Sequence, residues 1–192
     1  MTFGCQANER DSETIAGILE ALDLFETKEL EEADLLVVNT CSVRQKSEDK
    51  VYGLGKIIPK LKLKNPNFKV IISGCMVGSV TGERKRYEFS ELKKRTPFAD
   101  AYINPSQIRE LPRILSELNI VDDWIDKALN IKEKRNLTFA PGENAIPNKK
   151  HAFVNISTGC DNFCTFCVVP YARGKEVSRD KEEIIKEINA LA

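Results

Sequence analysis

Imidazole and indole are nearly absent from this 192-residue chain, which has one histidine, His151, and one tryptophan, Trp124. A zinc site mixing cysteine with histidine would have that single ring to draw on. The lone Trp124 reads as a packing residue, not a stacking platform. No apolar run approaches the roughly 20 residues of a membrane-spanning helix. The first residues, Met1-Thr-Phe-Gly-Cys5, lack the basic stretch and apolar core of a signal peptide. Net charge is missing too. Lys+Arg and Asp+Glu balance at 29 each, so the chain as a whole has no nucleic-acid footprint, and a local patch is the one form left open. Nor does a Gly/Ser/Thr-rich phosphate loop open the chain. Gly4-Cys5-Gln6 stands in its place, which argues against a flavin site.

What the chain does have is cysteine, six residues in all. Without an export signal they point to a reducing cytoplasm and to metal, not to disulfides. A hydrophobic share of 42% supplies a core, and 30% charged residues supply a polar surface. Three of the cysteines fall within eight residues, Cys160-Asp-Asn-Phe-Cys164-Thr-Phe-Cys167. Three thiols cannot pair off without leaving one over. They can converge on one metal centre from a single loop. A mononuclear zinc site would want a fourth ligand, whereas a 4Fe–4S cluster is held by cysteines at such short spacings. Three ligands leave one iron open to bind something else. A structural zinc site is the alternative.

The first 120 residues alternate helical and strand patterns. Ile15, Ile18, Leu19, Leu22 and Phe25 recur at helical spacing and predict a helix over residues 9–26. Asp34-Leu-Leu-Val-Val-Asn39 reads as a buried parallel strand. Ser42-Val-Arg-Gln45 has the form of a capping box, so a helix is expected to follow at once. Val51, Leu54, Ile58 and Leu61 give it one apolar face, and Asn65-Pro66 ends it. Residues 68–72 predict a strand, 83–95 a charged helix and 100–103 a further strand. Pro105 opens a helix carrying Ile108, Leu111, Leu115 and Leu118. This alternation implies an α/β fold with a parallel, doubly wound sheet.

Cys5, Cys41 and Cys75 each come at or just past a strand end and before a helix, 36 and 34 residues apart. Open parallel sheets bind ligands outside the carboxyl ends of their strands, so three equivalent loops would bring three thiols to one edge. Buried free cysteine is the bland alternative. Residues 121–150 lose the rhythm and read as a linker, with a short helix near Trp124–Leu129 and then Pro141-Gly142, Pro147 and Lys149-Lys150. Ala152–Ile156 predicts a strand delivering the three-cysteine loop. Asp180-Lys-Glu-Glu183 predicts the cap of a helix with Ile184, Ile185, Ile188 and Leu191. One strand–loop–helix unit puts the cysteine loop at the carboxyl end of its strand, where barrel enzymes carry their chemistry. The basic stretches, Lys56 to Lys64, Arg84-Lys-Arg86 and Lys93-Lys94-Arg95, read as solvated helix faces, with contact to RNA backbone as the other reading.

Cys160, Cys164, Phe166 and Cys167 resemble the CxxxCxxC signature of radical S-adenosylmethionine (SAM) enzymes. Together with Gly4-Cys5-Gln-Ala-Asn8, Asn39-Thr-Cys41-Ser-Val-Arg44 and Ser73-Gly-Cys75-Met76, in this order, the chain resembles the radical SAM methylthiotransferases. The resemblance implies a flavodoxin-like domain over residues 1–120 that holds an auxiliary 4Fe–4S cluster on Cys5, Cys41 and Cys75. After the 121–150 linker it implies the truncated start of a TIM-like radical SAM barrel over 151–192. There a second 4Fe–4S cluster would sit on Cys160, Cys164 and Cys167, with SAM on the open iron. One SAM would methylate sulfur at the auxiliary cluster, and a second would yield the radical that activates the substrate carbon. Phe166 and Arg173 are then candidates for binding SAM and Arg179 for binding substrate, with a structural salt bridge as the alternative for each arginine.

Thr40-Cys-Ser-Val-Arg44 and the run Phe166 to Arg179 look most like the branch acting on N6-isopentenyladenosine beside the tRNA anticodon. The threonylcarbamoyl-adenosine and ribosomal-protein aspartate branches are the competitors. The resemblance also implies a cytoplasmic enzyme that is monomeric at full length, served by an electron donor and a sulfur donor. Against the family pattern, the first strand is nearly absent, Val77-Gly-Ser-Val-Thr81 is less polar than expected, and the rest of the barrel and an RNA-binding module are missing. Exposed strand edges after residue 152 are the expected consequence.

Overall fold

The computed structural model describes residues 1–122 and 152–191. Residues 123–151, Trp124 and His151 among them, lie outside the described residues. Four parallel strands form the sheet: β1 (Thr2–Phe3), β2 (Leu35–Thr40), β3 (Lys69–Ser73) and β4 (Ala101–Ile103), in the order β1-β2-β3-β4. Helices cover both faces, so the inner strands read as unbroken apolar runs and not as alternating ones. Leu36, Val38, Val70 and Ile72 face one core. That core is completed by α2 (Gln45–Gly53), α3 (Ile58–Lys64), α4 (Cys75–Thr81) and α5 (Phe89–Arg95) through Val51, Ile58, Val77 and Leu92. Ile71 and Ile103 face the other, against Ile15 and Ile18 of α1 (Gln6–Ala21) and Leu111 and Leu115 of α6 (Leu111–Glu117). The arrangement is α/β and consistent with a flavodoxin-like domain.

Several predicted boundaries move. The first strand is two residues long, in keeping with the expectation that it is nearly absent, and Thr2 and Phe3 pair with Asn39 and Thr40. Helix α1 starts at Gln6 and ends at Ala21, where Asp23 turns left-handed (φ 63°). That leaves Phe25 off the helix and exposed. Ser42 does not build a capping box: its hydroxyl donates to the buried Glu48 carboxylate at 2.9 Å, and α2 begins at Gln45. A buried carboxylate needs donors, and Arg86 supplies another at 3.3 Å. The single helix expected after it breaks at Leu54–Lys56, a 3-10 turn. The helix predicted over 83–95 shortens to α5, and the one opening at Pro105 runs as a 3-10 segment, Pro105–Glu110, before α6.

After residue 152 the predicted strand over 152–156 does not form. Its place is taken by β5 (Ser157–Thr158), which pairs antiparallel with β6 (Val177–Ser178). Between them lies α7 (Val169–Ala172), and α8 (Lys181–Leu191) follows. Asp180 caps α8 as expected, its carboxylate accepting from the Glu182 and Glu183 amides at 3.0 and 3.3 Å. Among the described residues no helix is long and apolar enough to cross a membrane.

Ile72 is fully buried in β3, one of the two inner strands, where neighbouring helices cannot collapse onto a void. Ile72→Ala is expected to remove about 2–5 kcal/mol of stability. Urea unfolding would show this as a lower midpoint with an unchanged slope.

Candidate functional site

The parallel register sets the height of the first three cysteines. Asn39 pairs with Thr2 on one side and with Ser73 on the other. Cys41 and Cys75 therefore stand two residues beyond one paired rung, and Cys5 follows two residues after the last rung of β1. All three emerge at the same carboxyl edge, each at a helix start or in the loop leading to one. Cys5 is the N-cap of α1, with its thiol 3.5 Å from Asn8 Oδ1. The buried Cys41 accepts from the Val43 amide at 3.3 Å. Cys75 is buried as the first residue of α4.

Polar residues lock this edge. Asn8 Nδ2 donates to Asn39 Oδ1 at 3.0 Å, and Asn39 Nδ2 donates to the Asn8 carbonyl at 2.8 Å and to Ser12 at 2.9 Å. Gly74 enters α4 at φ 96°, and a Cβ there would lie 2.4 Å from Asn39 Oδ1 and from the Thr40 carbonyl oxygen. A side chain is thus excluded both by sterics and by the left-handed backbone. The Ser73 hydroxyl, buried two residues before Cys75, has no hydrogen-bond partner among the described residues, which leaves a donor free at the strand end.

Charge reaches the edge from the far end of the chain. Burial pushes the Cys75 thiol above its ordinary pKa, an effect opposed by Arg173 and reinforced by Cys41 and Asp11. Arg173 donates to Asp11 Oδ2 at 2.5 Å, and both side chains are about nine-tenths buried. Burial works against the guanidinium, but the charges of Asp11 and Cys75 and their hydrogen bonds hold it more firmly protonated. Burial raises the Asp11 pKa, and Arg173 counters it.

The second cysteine loop follows β5. Gly159 turns it at φ 76°, where a Cβ would meet the Lys175 carbonyl oxygen at 1.9 Å. The Cys160 amide donates to the Gly174 carbonyl at 3.1 Å, and the Cys167 amide to the Cys164 carbonyl at 2.9 Å. Asn162 Nδ2 donates to the Cys160 sulfur at 3.4 Å. Cys164 is exposed, while Cys160 and Cys167 are half-buried. Phe166 is 91% exposed. Arg84 lies over the Phe163 ring at 4.0 Å, so this basic residue packs against the loop. Lys62, Arg86 and Arg95 instead pair with Asp100, Glu48 and Glu91, and Lys56, Lys60 and Lys64 are solvent-exposed.

The structure places the two candidate arginines internally. Arg173 engages Asp11. Arg179 donates to the Asn155 carbonyl at 2.7 Å and pairs with Glu187 at 2.6 Å, and Glu187 also pairs with the buried Arg10. Arg179 is thus a structural ion pair in this conformation, with a buried side chain turned from solvent. Sequence reasoning passed over Arg10 and Asp11, which read as part of the polar face of α1 and whose partners lie more than 160 residues away. Asn8 and Asn39 lie close to Cys5 and Cys41 in the sequence, and it is the fold that brings them together.

Among the described residues no group of three His, Cys, Asp or Glu side chains is arranged to hold one ion. A cubane asks for something else, because each thiolate binds a different iron. The donor set, three thiols at one edge with a free hydroxyl beside them, fits such a cluster chemically, as does the three-thiol loop.

The model of uncharacterized protein family UPF0004 matches residues 1–102, more than half of the chain. The chain belongs to this family. Over 190 residues, 99% of its length, it is 40% identical to a Clostridium botulinum protein named tRNA-2-methylthio-N(6)-dimethylallyladenosine synthase. Proteins of the same name from Dictyoglomus thermophilum and Desulfitobacterium hafniense are 41% and 40% identical across the whole chain. The chain spans about 40% of the length of these relatives. The UPF0004 match carries all three strand-end cysteines, and the second cysteine loop falls beyond it.

Asn39→Ala would leave the buried Asn8 amide without its acceptor. The expected loss is about 1–3 kcal/mol, read by chemical denaturation.

Proposed function

We propose that this chain carries the two cluster-binding loops of a radical SAM methylthiotransferase that acts on N6-isopentenyladenosine beside the tRNA anticodon. The product would be the 2-methylthio derivative, with C–H replaced by C–SCH3 at carbon 2 of adenine. The observation that carries this reading is the pair of cysteine triads, one levelled at a sheet edge by strand register and one in an exposed loop, with Arg173 reaching between them. The relatives' name supports the tRNA substrate. When bound, two 4Fe–4S clusters and SAM would supply the sulfur, the methyl group and the radical chemistry.

The chain's own residues hold and orient. Cys5, Cys41 and Cys75 would hold the auxiliary cluster, and Cys160, Cys164 and Cys167 the SAM-binding one. Exposure of Cys164 and Phe166 leaves the outer side of the second loop open to a nucleoside-sized cofactor. Burial of Cys41 and Cys75 keeps water from the inner site. The reading places the protein in the reducing cytoplasm, as a monomer at full length, with an electron donor, a sulfur donor and the tRNA anticodon stem-loop as partners. Action on threonylcarbamoyl-adenosine or on a ribosomal-protein aspartate is the second reading, favoured by no residue described here over the first.

Two measurements test this. Full-length protein reconstituted anaerobically should hold about eight iron atoms, falling to about four in the Cys5→Ala, Cys41→Ala, Cys75→Ala triple variant. One zinc per chain in place of iron would end the reading. Mass spectrometry of tRNA nucleosides should show 2-methylthio-N6-isopentenyladenosine lost in a strain lacking the gene and restored by the full-length reading frame. An unchanged level of that nucleoside would overturn the substrate assignment.

A further inference from the structure

We propose that Arg173 is a positioning residue of the strand-end cysteine site: from the turn just after the second cysteine loop, seated on the helix that Cys75 begins, it grips Asp11 on the helix that Cys5 caps, coupling one loop to the other. The proposal rests on Cys75 being a cluster ligand, as inferred above.

The backbone that carries Arg173 is fixed before its side chain is considered. Helix α7 lies on α4, with the Ala172 carbonyl oxygen so close to Gly78 that a Cβ there would stand 2.0 Å from it. Gly82 gives the Tyr171 carbonyl the same access, at 2.8 Å from a built Cβ. Ala172 is 1% exposed. The Arg173 amide continues the helical pattern with a 2.8 Å bond to the Val169 carbonyl. Arg173 therefore leaves α7 at a set height above α4, the helix that Cys75 begins.

The side chain then closes the link. A guanidinium carries five donors in a rigid fork and can serve two acceptors at once, which a lysine ammonium on a flexible stem does poorly. Asp11 Oδ2 takes one donor at 2.5 Å. Asp11 belongs to α1, whose N-cap is Cys5, so the fork joins helices that start at two of the three strand-end cysteines. Partners that orient a metal's ligands are a recurrent requirement of such sites. Hydrogen bonds to thiolate sulfurs are among the factors that set cluster potentials. A guanidinium buried against the helix that Cys75 begins would favour the reduced, more negative cluster.

The test uses the full-length protein with Cys160, Cys164 and Cys167 replaced by alanine, so that the strand-end cluster is the one observed. Arg173→Gln should shift its midpoint potential, followed by electron paramagnetic resonance, to more negative values and speed iron loss to a chelator several-fold. Arg173→Lys should recover part of the potential, since the charge returns without the fork. Gly78→Ala, which leaves the fork intact but lifts its backbone, should reproduce the Arg173→Gln shift. An unchanged potential and unchanged iron release in Arg173→Gln would overturn the proposal. Should that variant not fold, Asp11→Asn keeps the side-chain size while loosening the grip, and an unchanged potential there has the same force. Failure of the ligand reading is separate: Cys75→Ala in the same background would then retain all of its iron.

Discussion

The pairing register of β2 is the constraint on which the strand-end site depends. In most half-buried sheets a one-residue slip is forbidden because it turns the apolar face to water. Here both faces of β2 are apolar, Leu36 and Val38 on one side, Leu35 and Val37 on the other. Hydrophobic burial alone would resist a slip weakly. The polar residues supply the missing specificity. Asn39, buried, finds both Asn8 and Ser12 in the observed register. A slip would carry it to the α2 side and orphan two buried amides, at a cost of the order of the desolvation of each. The same register levels Cys41 with Cys75. The polar pin and the thiol placement are therefore one feature.

A second constraint brings the distant loop to this edge. Two adjacent residues of α1, Arg10 and Asp11, point their charges into the seam with residues 173–187. Arg10 meets Glu187, which also takes Arg179, and Asp11 meets Arg173. Buried pairs of this kind add little net stability over an apolar packing, yet removing one partner costs about 3–5 kcal/mol because the other is left charged and dry. Their contribution is to orientation. An apolar seam would tolerate sliding. A seam of paired charges, with backbone packed against Gly78 and Gly82, has one alignment in which all are satisfied.

This division explains what could be read from the sequence. The strand exits were legible because β2 and β3 are short apolar runs followed by Thr40-Cys41 and Gly74-Cys75. The cysteine spacings carried the chemistry without any structure. Helix α4 was not legible, since Cys75-Met-Val-Gly-Ser-Val-Thr81 is rich in β-branched residues and glycine. Tertiary burial of Met76, Val77 and Val80, and not propensity, makes it helical. The strand predicted at 152–156 failed for the converse reason: β propensity was present, but the partner, β6, pairs at Ser157 and Thr158. Arg10 and Asp11 look like any solvated helix face until residues 173 and 187 arrive.

The inward placement of Arg173 and Arg179 also bears on the division of labour in the second loop. The family resemblance offered both arginines to ligands outside the chain, SAM or substrate. Within the described residues both are engaged by carboxylates, at Asp11 and Glu187. The loop consequently has two sides of different character. Its inner side, through residues 172 and 173, is fastened to α4 and to the strand-end site. Its outer side presents Cys164 and Phe166 to solvent. The open side of the second triad is therefore the outer one. Together with Arg10, these pairs fasten residues 173–187 to the helix that Cys5 caps, and so hold the second loop against the strand-end edge.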